Sequence, residues 1–179
     1  MIIFDTETTG LVLPSVVGLE LQPYIIDFAA VKVDLKTMKI VDQVEFLCKP
    51  PIMLPAIITK ITGVKDSDLA DLDPFSNHYE EVANLFVGEF EVVAHNVAFD
   101  TKLLEFELTR MGKQFQFPWP MRRCCTVEAT YHLKNRRLKM TELYEIATGK
   151  PLGQKHRAMS DVMDLWEIVK WMHKERMPL

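Results

Sequence analysis

The sequence has few cysteines and no long hydrophobic run, and these absences exclude several classes of protein. Its three cysteines, of which Cys124 and Cys125 are adjacent, cannot form the framework of a disulfide-stabilised secreted domain, so we expect a reducing, cytosolic setting. Residues 1–5 lack a basic leader, and no apolar stretch is long enough for a signal peptide or a membrane span. Repeats, low-complexity tracts and long linkers are also lacking, so residues 1–179 are predicted to form one domain.

The chain lacks an excess of positive charge, because 21 Lys and Arg are outnumbered by 25 Asp and Glu and the formal net charge is −4. A protein that bound nucleic acid by bulk attraction alone would be basic. The distribution is uneven, however, since residues 102–157 contain twelve Lys or Arg and only five Asp or Glu. This segment could supply a rim that contacts phosphates, and the alternative is a solvated surface of helices and loops. The candidate rim residues are Arg122, Arg123, Lys134, Arg136, Arg137, Lys139, Lys155 and Arg157.

The apolar patterns predict an α/β fold. Three strands are expected first, over residues 1–6, 24–34 and 39–48, and their short connections favour antiparallel pairing. Later strands are predicted over residues 91–94 and 121–125. Helices are predicted over residues 54–61, 74–86, 127–132, 140–148 and 160 to about 176. A further helix is predicted to begin just before residue 100. Strands followed by alternating strands and helices are typical of a layered α/β domain with a mixed sheet.

Asp5 and Glu7 are the first candidate functional residues. The apolar, β-branched residues at the start of the chain predict a strand, and side chains two residues apart on a strand point the same way. The two carboxylates are therefore expected to share a face and to converge on one cation. The alternative for this segment alone is a solvated strand edge.

Three further residues extend this set. Asp100 falls in the first turn of a predicted helix, where the helix dipole favours a carboxylate, although helix stability alone would also explain it. His156 is expected on a loop before the last helix, and Asp161 inside that helix, beside its buried stripe. An acid in that position is costly to bury unless it is paired or bound to metal. A lone histidine before a helix is usually a surface residue, so a functional role for His156 is indicated only in combination with the nearby acids.

Three segments together resemble the motifs of the DnaQ-like, DEDDh family of 3′-to-5′ exonucleases. They are residues 5–11 (DTETTGL), 95–100 (HNVAFD) and 156–161 (HRAMSD), in the order and separation typical of the family. Within the family the chain resembles the proofreading exonuclease, the epsilon subunit or domain, of bacterial or phage DNA polymerase III. The resemblance implies an RNase H-like fold with a mixed five-stranded sheet flanked by helices. It also implies two divalent cations and release of nucleoside monophosphates from a 3′ end.

The chemistry of the five residues agrees with that resemblance. Four carboxylates without cysteine ligands suit Mg²⁺ or Mn²⁺, and two such ions about 4 Å apart can hold the attacking and leaving oxygens of an in-line displacement. We expect one ion to be shared by Asp5, Glu7 and Asp161, and the second to be held by Asp5 and Asp100. His156 is the expected general base that takes a proton from the attacking water.

Several positions match family segments that meet the substrate. Thr6, Thr8 and Leu11 match the part of the first motif that contacts the terminal nucleotide, although turn chemistry alone would explain the Thr-Thr-Gly sequence. His95 and Asn96 are expected to place the substrate or, equally, to satisfy backbone groups at a strand-to-helix turn. Two weaker candidates are Thr62, which stands where the family often has histidine, and Phe99, for which a place in the core is the competing expectation.

Three functions are compatible with these residues. The first is a metal-dependent 3′-to-5′ exonuclease acting on single-stranded ends, with DNA as the expected substrate and a DNA polymerase subunit as a candidate partner for proofreading. The second is an enzyme of the same fold that trims RNA or degrades short oligonucleotides. The third is a catalytically silent nucleic-acid-binding scaffold, against which the repulsion among clustered carboxylates argues. A cytoplasmic location, in a bacterial cell or a phage-infected host, is expected, and the sequence leaves the oligomeric state open.

Overall fold

A five-stranded sheet forms the centre of the computed structural model, which describes residues 1–153 and 156–178. Its strands are β1 (Ile2–Thr8), β2 (Ile25–Asp34), β3 (Lys39–Leu47), β4 (Glu91–Ala94) and β5 (Arg122–Cys125). They lie in the order β3-β2-β1-β4-β5. The first three strands pair antiparallel, whereas β4 runs parallel to β1 and β5 runs parallel to β4. The predicted mixed five-stranded sheet is therefore confirmed.

Seven α-helices occur within the described residues. They are α1 (Ala56–Thr62), α2 (Asp66–Leu69), α3 (Tyr79–Phe86), α4 (Val97–Arg110), α5 (Thr126–Ala129), α6 (Met140–Thr148) and α7 (Ala158–Lys174). None of the helices in that part of the chain is long and apolar enough to cross a membrane.

Strand β1 is the central strand, and its side chains alternate between two cores. Ile2 and Phe4 belong to the core that contains Leu103 and Leu104 of α4. Ile3 belongs to the opposite core, which includes Leu165 and other residues of α7. Because a central strand is held from both faces and by a neighbour on each side, the end of β1 is a rigid platform for side chains that emerge from the sheet.

Several predicted boundaries are corrected by the structure. Strand β1 reaches Thr8 rather than residue 6, because pairing with β2 continues past a register shift between Glu7 and Thr8. The helix predicted over residues 74–86 begins with a 3₁₀ turn, Phe75–His78, before α3. The helix predicted over 127–132 divides into α5 and the 3₁₀ turn Tyr131–Leu133. By contrast, β4 and α6 have the predicted bounds.

Candidate active site

Asp5 and Glu7 lie on one face of β1, near its carboxyl end. That face carries Ile3 into the core beneath α7, so both carboxylates point towards the start of α7. Glu7 stands opposite Asp27 of β2 in the antiparallel register. Asp5 and Glu7 are both partly buried. The strand therefore presents two acids in the arrangement that the alternation of its sequence predicts.

The start of α7 brings His156 and Asp161 to the same place. His156 precedes the helix in the left-handed backbone region, with φ of 45°, and Asp161 lies in the first turn of α7. One potential ligand atom from each of Glu7, His156 and Asp161 lies within 4.8 Å of the others. Residues separated by about 150 positions in the chain thus converge on a single point.

Asp100 approaches from the other side of the sheet, at the start of α4. Its carboxylate is buried, and Oδ1 accepts hydrogen bonds from the backbone N–H of Thr6, at 3.1 Å, and from its hydroxyl, at 2.8 Å. These bonds attach Asp100 to β1 between Asp5 and Glu7. Among the charged groups, Asp100 makes the largest contribution to the raised pKa of Asp5, which indicates that these two carboxylates are neighbours.

The carboxylates repel one another strongly. Burial raises the pKa of Asp5 well above its usual range, and repulsion from Asp100, Asp161, Glu7 and Asp27 adds to the effect. Burial and the same kind of repulsion raise the pKa of Glu7 to about 8. Burial also raises the pKa of Asp100 to about 7, against the opposing effect of the Thr6 hydrogen bonds.

A cation would relieve this repulsion. The pKa of Asp161 is raised to about 6, chiefly by burial, so all four acids hold their protons more tightly than free carboxylates do. A group of ionised oxygen ligands at one point is the donor set that Mg²⁺ and Mn²⁺ prefer. The residues present therefore fit divalent cations by their chemistry.

Asp27 is a site residue that the sequence patterns did not reveal. Its side chain is only 1% exposed, and Oδ2 accepts hydrogen bonds from Arg157 Nε, at 2.8 Å, and from the backbone N–H of Ala158, at 3.3 Å. The signal available in the sequence is a single acid within the otherwise apolar run of residues 25–31. A carboxylate in such a run must find a partner, but the run does not identify that partner.

The turn after β1 contains two of the predicted substrate residues. Thr8 is buried and its hydroxyl donates to the carbonyl of Gly10 at 2.7 Å, so it stabilises the turn. Leu11 follows and is 78% exposed. Thr6 is occupied by its two bonds to Asp100. Of these three residues, Leu11 is the one that presents its side chain to solvent.

The other predicted substrate residues make contacts within the protein. His95 Nδ1 lies 3.0 Å from the Thr126 hydroxyl and Nε2 lies 3.2 Å from the Leu138 carbonyl, while burial lowers the pKa of His95 to about 4. A neutral ring that donates from Nε2 and accepts at Nδ1 satisfies both contacts. Thr62 is buried, and its hydroxyl donates to the Ile58 carbonyl at 2.9 Å.

Asn96 and Phe99 complete the set. Asn96 adopts the left-handed conformation, with φ of 76°, immediately before α4. Phe99 is partly buried and packs against the core on the α4 face of the sheet. Asn96 therefore has a local role in the turn before α4, and Phe99 has one in the packing of the core.

Several arginines of the predicted rim are paired with acids. Arg136 donates to Glu142, and Arg137 Nη2 lies 2.6 Å from Glu128 Oε1. Arg123 Nη2 lies 3.4 Å from Glu105 Oε1. These pairs are largely exposed, so they remain available to exchange an acidic partner for a phosphate. Lys155 of the predicted rim lies outside the described residues.

Comparison with known proteins gives one family. A model of the RNase T exonuclease family matches residues 2–169. DNA polymerase III PolC-type of Caldanaerobacter subterraneus subsp. tengcongensis is 32% identical over 183 residues, which covers 97% of this chain and 12% of the relative. The 3′-5′ exonuclease DinG of Bacillus subtilis is 31% identical over 166 residues, which covers 89% of this chain and 16% of the relative. The chain thus spans a small part of either relative's length.

Solved structures share the fold at lower identity. Exonuclease X in complex with 5′ overhanging duplex DNA superposes with a TM-score of 0.66 at 23% identity, covering 97% of this chain and 91% of that chain. The nuclease domain of 3′hExo, a DEDDh family member bound to rAMP, superposes with a TM-score of 0.76 at 17% identity, covering 99% of this chain and 95% of that chain. At these identities the comparison establishes the RNase H-like exonuclease fold.

Proposed function

The chain belongs to the RNase T exonuclease family and is a 3′-to-5′ exonuclease of the DEDDh type, and from this premise we propose its substrate and mechanism. It hydrolyses phosphodiester bonds from the 3′ end of single-stranded nucleic acid, preferentially DNA, and releases nucleoside 5′-monophosphates. The observation that carries this proposal is the convergence of Glu7, His156 and Asp161 within 4.8 Å. A histidine beside carboxylates that need a cation is the arrangement expected for metal-assisted hydrolysis.

The carboxylates would hold two divalent cations, Mg²⁺ or Mn²⁺. Asp5, Glu7 and Asp161 would hold one ion, and Asp5 and Asp100 would hold the other. When bound, the ions supply Lewis-acid stabilisation of the attacking and leaving oxygens during an in-line displacement. Thr6 supports the second of these ligand pairs, because its N–H and hydroxyl fix the orientation of Asp100.

His156 accepts the proton of the attacking water. An imidazole is suited to this role because its ordinary pKa lies near neutral pH. His156 is half-buried just before the start of α7, so it retains some exposure to solvent.

The terminal nucleotide lies in the cleft beside the turn that follows β1. This cleft has a volume of about 320 Å³ and is lined by Gly10, Leu11, Leu13, Tyr24 and Ile52, among other residues. Its lining includes apolar and aromatic side chains, which suit a base, together with the polar side chains of Glu20 and Gln22. Leu11 is well placed to contact that base because most of its side chain is exposed.

DNA is proposed as the substrate because the relatives with more than 30% identity include DNA polymerase III PolC-type proteins. The same relationship supports a DNA polymerase subunit as the partner and cytoplasmic proofreading as the role. RNA trimming is the alternative, because the shared motifs do not select the sugar.

Timed digestion tests the proposal. Matched single-stranded DNA and RNA, labelled at the 5′ end, are incubated with Mg²⁺ or Mn²⁺, with a chelator control. We expect a ladder that shortens from the 3′ end, faster on DNA, and no ladder with Asp5→Asn. Asp71→Asn serves as the matched control, because Asp71 is an exposed acid outside the carboxylate cluster. A faster RNA ladder would support RNA trimming, and no ladder from folded, metal-supplied protein would contradict the proposed activity.

A further inference from the structure

The start of α7 is attached to the sheet through one buried carboxylate. Asp27 of β2 accepts two hydrogen bonds at the same oxygen, from Arg157 Nε at 2.8 Å and from the N–H of Ala158 at 3.3 Å. Ala158 is the first residue of α7, and Arg157 separates it from His156. Asp27 therefore caps the helix from a strand about 130 positions earlier in the chain, and it does so one residue from the proposed general base.

His156 needs such an anchor. Its φ of 45° lies in the left-handed region, which residues other than glycine adopt only when the surrounding structure imposes it. The Arg157 side chain and the Ala158 N–H fix the chain immediately after His156. Asp161 is less dependent on this anchor, because Val162 and Leu165 beside it are fully buried in the core.

The charge of Asp27 has a cost as well as a benefit at this position. Asp27 stands opposite Glu7 in the strand register, and repulsion between the two contributes to the raised pKa of Glu7. Its second oxygen, Oδ1, is buried without a hydrogen-bond partner among the described residues. A neutral acceptor would cap α7 without adding charge beside the acidic cluster. The carboxylate does, however, form an ion pair with Arg157, which a neutral side chain could not do.

We propose that Asp27, acting through Arg157, is a positioning residue for the nuclease reaction that holds His156 in line with the attacking water. This inference rests on the proposed function and extends it to a residue outside the four acids and the histidine. Asp27 does not bind the cations in this scheme. Its effect is therefore on the rate of hydrolysis and not on affinity for metal or substrate.

Two variants test this role. Asp27→Asn keeps the size of the side chain and removes its charge, while Arg157→Gln removes the other half of the pair. Arg157 is 44% exposed, so its replacement is not expected to unfold the protein and carries the test if Asp27→Asn fails to fold. In each we expect kcat on single-stranded DNA to fall about 10- to 100-fold, with KM within about threefold of the wild-type value. The affinity for Mn²⁺, measured by calorimetry, is expected to change by less than about threefold.

Matched controls lie at the opposite ends of the same elements. Asp34→Asn changes an acid at the far end of β2, and Arg176→Gln changes an arginine just beyond the far end of α7. Neither should alter kcat. A KM increase for Arg157→Gln, with unchanged kcat and a weaker salt dependence, would make Arg157 a phosphate contact and overturn the positioning role.

A double variant separates positioning from general structural damage. In the His156→Ala background the residual activity no longer depends on the imidazole, so adding Asp27→Asn should lower kcat by less than about twofold. An undiminished loss in that background would overturn the inference, because Asp27 would then act independently of His156. Wild-type kcat in Asp27→Asn and Arg157→Gln would also overturn it while leaving the exonuclease proposal intact. An inactive wild-type protein would refute both.

Discussion

Replacing Glu7 by Gln is expected to stabilise the metal-free protein, although it removes a proposed catalytic ligand. The pKa of Glu7 is raised from 4.5 to about 8, first by burial and then by repulsion from Asp161, Asp27 and Asp100. A carboxylate with a raised folded-state pKa binds its proton more tightly in the folded protein than in the unfolded chain. Stability therefore falls as pH rises from about 4.5, and the loss is complete above about pH 8.

The size of the effect follows from this difference. A rise from 4.5 to about 8, at about 1.4 kcal/mol per pH unit, corresponds to about 5 kcal/mol at pH 9. The buried amide of Gln costs about 1–3 kcal/mol if it finds no hydrogen-bond partner. The expected net gain is therefore about 2–4 kcal/mol at pH 9, or a rise in Tm of roughly 5–15 °C. Near pH 4.5 the gain should be lost and only the cost of the buried amide should remain, because Glu7 is then protonated in the folded protein.

Thermal unfolding between pH 4.5 and 9, with a chelator present, measures this gain. Glu80→Gln is the matched control, since Glu80 is exposed in the first turn of α3. Saturating Mg²⁺ should reduce the difference at pH 9, because it stabilises the wild-type cluster by about 3 kcal/mol at 100 times its Kd and Glu7→Gln by less. Equal Tm values for wild type and Glu7→Gln across the pH range would refute the reasoning, since ionised Glu7 would then not destabilise the folded protein.

Three further outcomes are expected. Asp5→Asn should lower kcat at least about 1,000-fold, since it removes a shared ligand of both ions, and near-normal digestion would contradict the assignment. Thr6→Val should lower the free energy of unfolding by about 1.5–3 kcal/mol at pH 8, because it removes the hydroxyl that donates to Asp100 at 2.8 Å; unchanged denaturant midpoints would deny that bond any role. Replacing both Arg136 and Arg137 by Gln should reduce the salt dependence of single-strand binding by about 1.4 in log–log slope, and an unchanged slope would identify them as surface ion pairs.

Local sequence predicted the elements whose ends are determined locally. Helix α6 has its predicted bounds because Gly149, in the left-handed conformation with φ of 72°, ends it. Strand β4 is a short apolar segment buried on both faces, and its bounds were also predicted. The start of α7 was placed at residue 160 instead of Ala158, because the N–H that begins the helix is held by Asp27 on a distant strand. A local pattern contains no information about that contact.

The same distinction applies to the site. Asp5 and Glu7 could be assigned to one face from the period of a strand. Asp100, His156 and Asp161 were candidates from their positions near helix starts, and the resemblance to family motifs joined all five into one site. The contacts that hold these residues in place were not predictable, because Thr6 and Asp100 are separated by 94 positions and Asp27 and Arg157 by 130. The predicted substrate role of His95 likewise depended on which groups surround its ring, and these come from Thr126 and Leu138.

The two long-range contacts attach helices on opposite faces of the sheet to two neighbouring strands, β1 and β2. Thr6 holds α4 on one face of β1, and Asp27 holds α7 on the other, while the fully buried Phe4 and Ile3 fix β1 between the two cores. Repulsion among the carboxylates is therefore opposed by packing on both faces, so the acids remain close together before any cation binds. The contact between Asp27 and the start of α7 fixes the backbone next to His156, which is only half-buried, whereas the packing beneath β1 stabilises the whole sheet. Changes at the anchor should consequently reduce the rate well before they reduce stability, and changes beneath β1 should do the reverse.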